Sequence, residues 1–394
     1  MMVIPMKSLI LFAIIVFTSI VGWSQTQPSQ PSTSPAQPMD LQDGDEFFPY
    51  LYLSEVLPQS MTDDEARSKI EKYSKVILKN GKNILAAYNN RAMAFLVIGQ
   101  LDSALKDLET AIDAKPKDEE LAVLLNNRGY IYLKSGNLNE AIADFNRGLE
   151  INPKDIYPLA NRAAVYQHAN QLGPAINDLD KAIEIDPKQA LLFNNRGMIY
   201  LSMGNLSLAA RDLETAVAVN PKLVTALSNL GYIYNLQGDF QKSVSTLNKA
   251  ISLGQSSAFA YTNRGLSYYR LGKSNEAFSD FNKAIELDPK LARAYNNRAS
   301  IFVDKEDFAN AKRDIDKAIE LDPNDPYSYN TRGNVYMNLK QWKLAIADYT
   351  KALEIHPKLL MCYQSRAIAY DELGDKTNAA ADRRKFVELG GTPQ

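Results

Sequence analysis

Few side chains in this sequence could transfer a proton or attack an electrophile. His168, His356 and Cys362 are the only residues of their types. General acid–base chemistry needs a group that orients the imidazole, and zinc needs three or four ligands at fixed spacing. Neither constellation forms around two histidines so far apart. Cys362 has no fixed base partner, so packing is its expected role rather than nucleophilic attack. Gly272-Lys273-Ser274 looks like the end of a phosphate-binding loop, yet Ser267 stands where the first glycine is required. That segment also joins two expected helices instead of following a strand. No catalytic residue, metal site or cofactor is expected.

Arginine, aspartate and asparagine do recur at fixed spacing. Arg91, Arg128, Arg162, Arg196, Arg264, Arg298, Arg332 and Arg366 are separated by 37, 34, 34, 68, 34, 34 and 34 residues. Sixteen residues after each stands an aspartate: Asp107, Asp144, Asp178, Asp212, Asp280, Asp314, Asp348 and Asp382. The unit skipped by the 68-residue step carries Leu230 and Thr246 in the two places. Pairing within a unit leaves no charge unmatched, whereas pairing each Asp with the next unit's Arg would strand Asp212 and Arg264. Salt bridges within units are therefore expected, since partly buried charges are kept in pairs. Directly before the Arg position stands Asn90, Asn127, Asn161, Asn195, Asn229, Asn263 and Asn297, then Thr331 and Ser365 in the last two units. A primary amide both donates and accepts, and so can bond a peptide backbone without reading its sequence.

The elements that must position these residues follow the same beat. Pro116, Pro153, Pro187, Pro221, Pro289, Pro323 and Pro357 stop one helix of each unit. Gly99, Gly136, Gly204, Gly238, Gly272 and Gly374 end the other, where a left-handed residue is needed. A small residue in helix A (Ala92, Gly129, Gly197) faces a small residue in helix B (Ala104, Ala141, Ala209), with Phe95, Tyr132 or Tyr200 as bulky filler. A 34-residue period of this kind resembles the tetratricopeptide repeat, over residues 85–394. The resemblance implies an all-α fold, a right-handed superhelical solenoid of nine helix-turn-helix units. Arg where Leu is usual in helix A is a departure from the family pattern.

By that resemblance the A helices line the inside of the superhelix, and the chain's partner is a protein or an extended peptide. The asparagines resemble the ladder of certain glycosyltransferases; the alternative is that each amide satisfies a local carbonyl. Tyr130, Tyr232 and Tyr269 join them as partner-binding candidates on a neutral, aromatic face, together with Met93, Met198 and Met337. The cationic clamp that related repeats use for acidic chaperone tails is missing, because Lys134, Arg270 and Arg293 are scattered over three units. A structural spacer assembling end to end is the alternative function. Arg383, where earlier units carry an apolar residue, speaks for a solvent-facing last helix and a monomer.

The N-terminus adds an address. Lys7 precedes the apolar run Leu9–Val21, and Gly22-Trp23-Ser24 offers small residues for cleavage, so 1–24 reads as a signal segment. Export to the periplasm, cell surface or medium is expected, with membrane attachment only if the segment stays uncleaved. Residues 25–46 begin with a Pro/Ser/Gln-rich tether. The 47–84 segment holds an expected capping helix over Thr62–Lys79, opened by a Thr62/Glu65 capping box. With 44 Lys and Arg against 46 Asp and Glu, the net charge of −2 carries no excess of cations for nucleic acid. One cysteine excludes an internal disulfide.

Overall fold

The structure, a computed structural model, describes residues 61–79, 84–254 and 257–392. The expected signal segment 1–24, the tether 25–46 and the first part of the 47–84 segment lie outside the described residues. Among the described residues there are nineteen helices and no strand.

Helix α1 spans Asp63–Leu78, with the expected capping box formed by Thr62 and Glu65 and three acids in its first turn, where the helix dipole favours them. Nine A–B pairs follow: α2 (Ile84–Val97) with α3 (Leu101–Asp113), α4 (Asp118–Lys134) with α5 (Leu138–Ile151), α6 (Ile156–His168) with α7 (Leu172–Ile185), and α8 (Ala190–Ser202) with α9 (Leu206–Val219). Then come α10 (Val224–Gln237) with α11 (Phe240–Ser252), α12 (Ala258–Arg270) with α13 (Ser274–Leu287), α14 (Ala292–Asp304) with α15 (Phe308–Leu321), α16 (Pro326–Asn338) with α17 (Trp342–Ile355), and α18 (Leu360–Glu372) with α19 (Lys376–Glu388). By its contacts the chain divides into two compact units, one ending at Ala226 and the other beginning at Leu227.

Every A–B turn closes on a residue with positive φ. Glycine supplies it six times, from Gly99 at 73° to Gly374 at 80°, while Asn170, Glu306 and Lys340 hold the same place at 55–58°. Turn geometry is thus fixed by the repeat even where the residue with least steric cost is absent.

Packing within a pair matches size to size. A Cβ on Gly265 would lie 2.7 Å from the Phe281 ring, and one on Gly333 would lie 2.6 Å from the Tyr349 ring. Where the A helix carries Ala instead, as at Ala163 and Ala299, the facing residue is Leu179 or Ile315. Glycine thus opens the room that Phe145, Phe281 and Tyr349 fill, and all three rings are fully buried. In the unit ending at Ala226 the core runs from Ala92 and Leu108 through Phe145 and Val165 to Leu192 and Ile199. In the other it runs from Ala258 and Phe281 through Ile315 to Tyr349 and Cys362.

Candidate partner-binding face

The eight Arg–Asp pairs form as the spacing requires. In each, Nε and Nη2 of the arginine donate to both carboxylate oxygens of the aspartate sixteen residues later, at 2.6–2.9 Å. This bidentate fork is the strong form of the interaction. The aspartates are almost wholly buried and the arginines mostly so. In the exceptional unit Leu230 and Thr246 are both buried, and no charge is left behind.

The same guanidiniums have a second role that the sequence did not reveal. Nη1 of Arg162, Arg196, Arg264, Arg298, Arg332 and Arg366 crosses to the preceding unit's B helix, donating to Asn146, Asp180, Asn248, Asn282, Asp316 and Thr350 at 2.5–3.0 Å. Arg91 does the same to Ser74 of α1, at 2.9 Å, so α1 stands where a preceding B helix would. Aromatic rings one turn away on the same helix lie 5.5–6.0 Å from several of these guanidiniums, as Tyr261 and Tyr268 do around Arg264. The bond to Asp212, reinforced by Asp180, holds the Arg196 pKa well above its ordinary value. These charges serve the fold.

The asparagines are placed differently from one another. Asn127 donates to Asn89 of the preceding A helix at 2.8 Å, and Asn161 donates to Asn126 at 3.0 Å. Asn195 accepts from Asn194, while Asn263 donates to the Phe259 carbonyl of its own helix. Asn127, Asn161, Asn229 and Asn263 retain only 1–2% of their surface and Asn195 retains 8%, while Asn90 and Asn297 are half-buried. Asn127 and Asn161 thus bridge the seam between successive A helices, whereas Asn195 and Asn263 bond within their own. The pattern needs an Asn one place earlier in the preceding unit, so it lapses where that residue is Ala160 or Thr262.

Tyr130 is buried, whereas Tyr232 and Tyr269 are half-buried. Tyr232 stacks at a tilt on Phe259, with ring centroids 5.7 Å apart. Tyr269 and Asp304 interact electrostatically, and burial raises the pKa of both groups. Arg270 lies 5.3 Å over the Phe240 ring. Val123 and Tyr327, at a corresponding A-helix position, are 43% and 37% exposed. Cys362 is wholly buried, donates to Asn330 at 3.2 Å, and has its thiol pKa pushed up by burial. Among the described residues no group of His, Cys, Asp and Glu could hold a metal ion. No described helix is long and apolar enough to cross a membrane.

Family models described as tetratricopeptide repeat match residues 85–118, 122–155, 179–211, 258–291, 292–325 and 326–359, and one described as TPR repeat matches 231–272. Together these cover more than half of the sequence, and four of the seven matches begin at the first or second residue of an A helix. The chain is a tetratricopeptide-repeat protein.

Several solved structures are similar to this chain, and the first shares its fold. A chain of the APC/C hetero-tetramer Cut9–Hcn1 is 17% identical with a TM-score of 0.56, over 84% of this chain and 64% of that one. This protein thus spans less than two thirds of that chain's length. A tetratricopeptide repeat protein from Parabacteroides merdae is 24% identical with a TM-score of 0.48, over 67% of this chain and 99% of that one. YrrB, described as a TPR protein with an unusual peptide-binding site, is 19% identical with a TM-score of 0.37, over 48% and 97%. No curated protein gave a match.

Proposed function

We propose that this tetratricopeptide-repeat protein is an exported interaction scaffold whose A-helix face holds an extended segment of a partner protein. The observation that carries the reading is how the chain's polar groups are divided. The repeated Arg–Asp forks and several of the seam amides are engaged within the fold, whereas exposed Val123 and Tyr327 sit at a shared A-helix position. An exposed apolar and aromatic surface rimmed by polar groups is what a partner-binding site requires.

The last helix supports a solitary scaffold over an end-to-end spacer. In α19 only Ala379 and Asp382 are buried, and Arg383 is exposed and paired with Asp371. Such a helix offers little apolar surface for a further repeat.

Export rests on Lys7 and the apolar run Leu9–Val21, with cleavage after Ser24. Affinity capture with the chain beginning at Gln25, followed by mass spectrometry, tests the scaffold. One protein recovered repeatedly, and released by a peptide from its own sequence, is the expected result. Failure to recover any specific protein would speak against it. N-terminal sequencing from the native compartment tests export, and an intact Met1 in a soluble cytoplasmic fraction would contradict it.

A further inference from the structure

Aromatic side chains converge on the A-helix face of the unit that begins at Leu227. Phe259, Arg293 and Tyr327 hold the same position in three consecutive A helices, α12, α14 and α16, which pack against one another in that order. Phe259 is buried, and the Tyr232 ring of α10 stacks on it at a tilt, with centroids 5.7 Å apart. Tyr327 is 37% exposed, and its phenol is within electrostatic reach of both Arg293 and Tyr232. Tyr232 and Tyr327, from helices three repeats apart, thus meet on one surface with Phe259 beside them.

The charge on this surface cancels. Beyond the arginines forked to Asp280, Asp314 and Asp348, the charged residues of α10, α12, α14 and α16 are Arg270, Arg293 and Asp304, with Asp325 as the cap of α16. Each is already engaged within the chain. Arg293 acts on Asp325 and Tyr327, and Asp325 also accepts from the Tyr327 and Ser328 amides. Arg270 lies over the Phe240 ring, and Asp304 interacts with Tyr269. With the two cations and two anions so held, a charged residue of a partner would lose its water without meeting an unmatched charge. An uncharged segment meets no such penalty.

Spacing selects the conformation of that segment. Packed helices lie about 8–10 Å apart. A polyproline II helix advances about 9 Å in three residues. Every third residue of such a segment therefore meets the same position on the next A helix. Proline-rich segments dock in aromatic-lined grooves, and their conformation is set before binding, so little entropy is lost.

We propose that the A-helix face of α10 to α16 takes an uncharged segment of the partner in the polyproline II conformation, with proline at every third position and one proline ring against Tyr232 and Tyr327. This rests on the scaffold reading and adds the chemistry of what is bound.

The test uses the full chain with fluorescein-labelled dodecapeptides, read by fluorescence anisotropy. The lead peptide repeats Pro-Val-Gln. In the others every Pro becomes Ala, the prolines are moved out of the three-residue register, or one Gln becomes Lys or Glu. The lead peptide should bind about tenfold more tightly than the Ala peptide, and the out-of-register, Lys and Glu peptides should also bind less tightly than the lead. Tyr327→Ala should remove the proline preference, and Tyr327→Phe should keep it. Tyr327 is exposed, so circular dichroism should show both variants folded, and the register comparison needs no variant. If Pro and Ala peptides bind equally, if a charged peptide binds best, or if the preference survives in Tyr327→Ala, the proline site falls and the scaffold reading stands. If no peptide binds, the proline site falls and affinity capture decides the scaffold reading separately. If deleting residues 25–38 tightens binding of the lead peptide tenfold, the chain's own Pro/Ser/Gln-rich tether occupies this face and the proposal is overturned.

Discussion

Arg196 grips Asp212 with two parallel hydrogen bonds of 2.7 and 2.8 Å while its third nitrogen holds Asp180 of the preceding repeat at 2.6 Å. One side chain therefore joins three helices, and its carboxylate partners differ in exposure. Asp212 is almost fully buried, whereas Asp180 keeps about half its side chain in water. The consequences of cutting each contact differ accordingly.

Arg196→Leu strands a buried carboxylate and should destabilise the protein by about 3 kcal/mol. Adding Asp212→Thr recreates the Leu230/Thr246 arrangement and should restore most of that loss in urea titration. Asp180→Ala alone should cost under about 1 kcal/mol, because an exposed ion pair contributes little. A double variant no more stable than Arg196→Leu would refute the pairing energetics.

Size matching between helices gives a second cycle. Gly265→Ala pushes a methyl into the Phe281 ring and should cost about 1–3 kcal/mol. Combining it with Phe281→Leu copies the Ala163/Leu179 pair and should recover stability in thermal melts. Equal melting temperatures for wild type and Gly265→Ala would show that the helices part without cost.

The seam asparagines separate fold from binding. Asn161→Ala leaves the Asn126 acceptor without its donor and should cost about 1–2 kcal/mol. Replacing Asn161, Asn195, Asn229 and Asn263 together by Ala should lower the melting temperature strongly, with partner capture falling in step. A quadruple variant that melts normally yet captures nothing would instead make these amides direct ligands.

His168 carries a pH dependence whose sign follows from its environment. An unfolded imidazole protonates near pH 6.5, while desolvation and Lys134 hold the folded one below that value. The unfolded state therefore binds the proton first, so the stability contribution is complete above about pH 6.5 and is lost as pH falls. Proton NMR should place the His168 pKa below 6.5, and His168→Gln should flatten this part of the stability profile. A His168 pKa above 6.5 would contradict the environment described.

Much of this architecture is legible in the residues alone. The Arg–Asp partnership could be read because one unit breaks it at both ends, with Leu230 and Thr246. The crossing of Nη1 to the preceding B helix could not, since its acceptors share a position but vary among Asn, Asp and Thr. The seam amides were legible as a row and not as a direction. A modest rotation about the helix axis decides whether an Asn faces an open surface or the neighbouring A helix, and periodicity alone does not fix it. His168 reads as an ordinary surface histidine until Lys134 is seen at the same position one repeat earlier.

The scaffold account is tested most directly by photo-crosslinking in the native cells. A benzophenone side chain is placed singly at Val123 or Tyr327 on A helices, and at Leu287 or Leu344 on B helices, all four exposed. The account predicts one partner protein crosslinked from Val123 and Tyr327 and none from the B-helix positions. Adducts confined to Leu287 and Leu344, or to Val387 on the last helix, would contradict it.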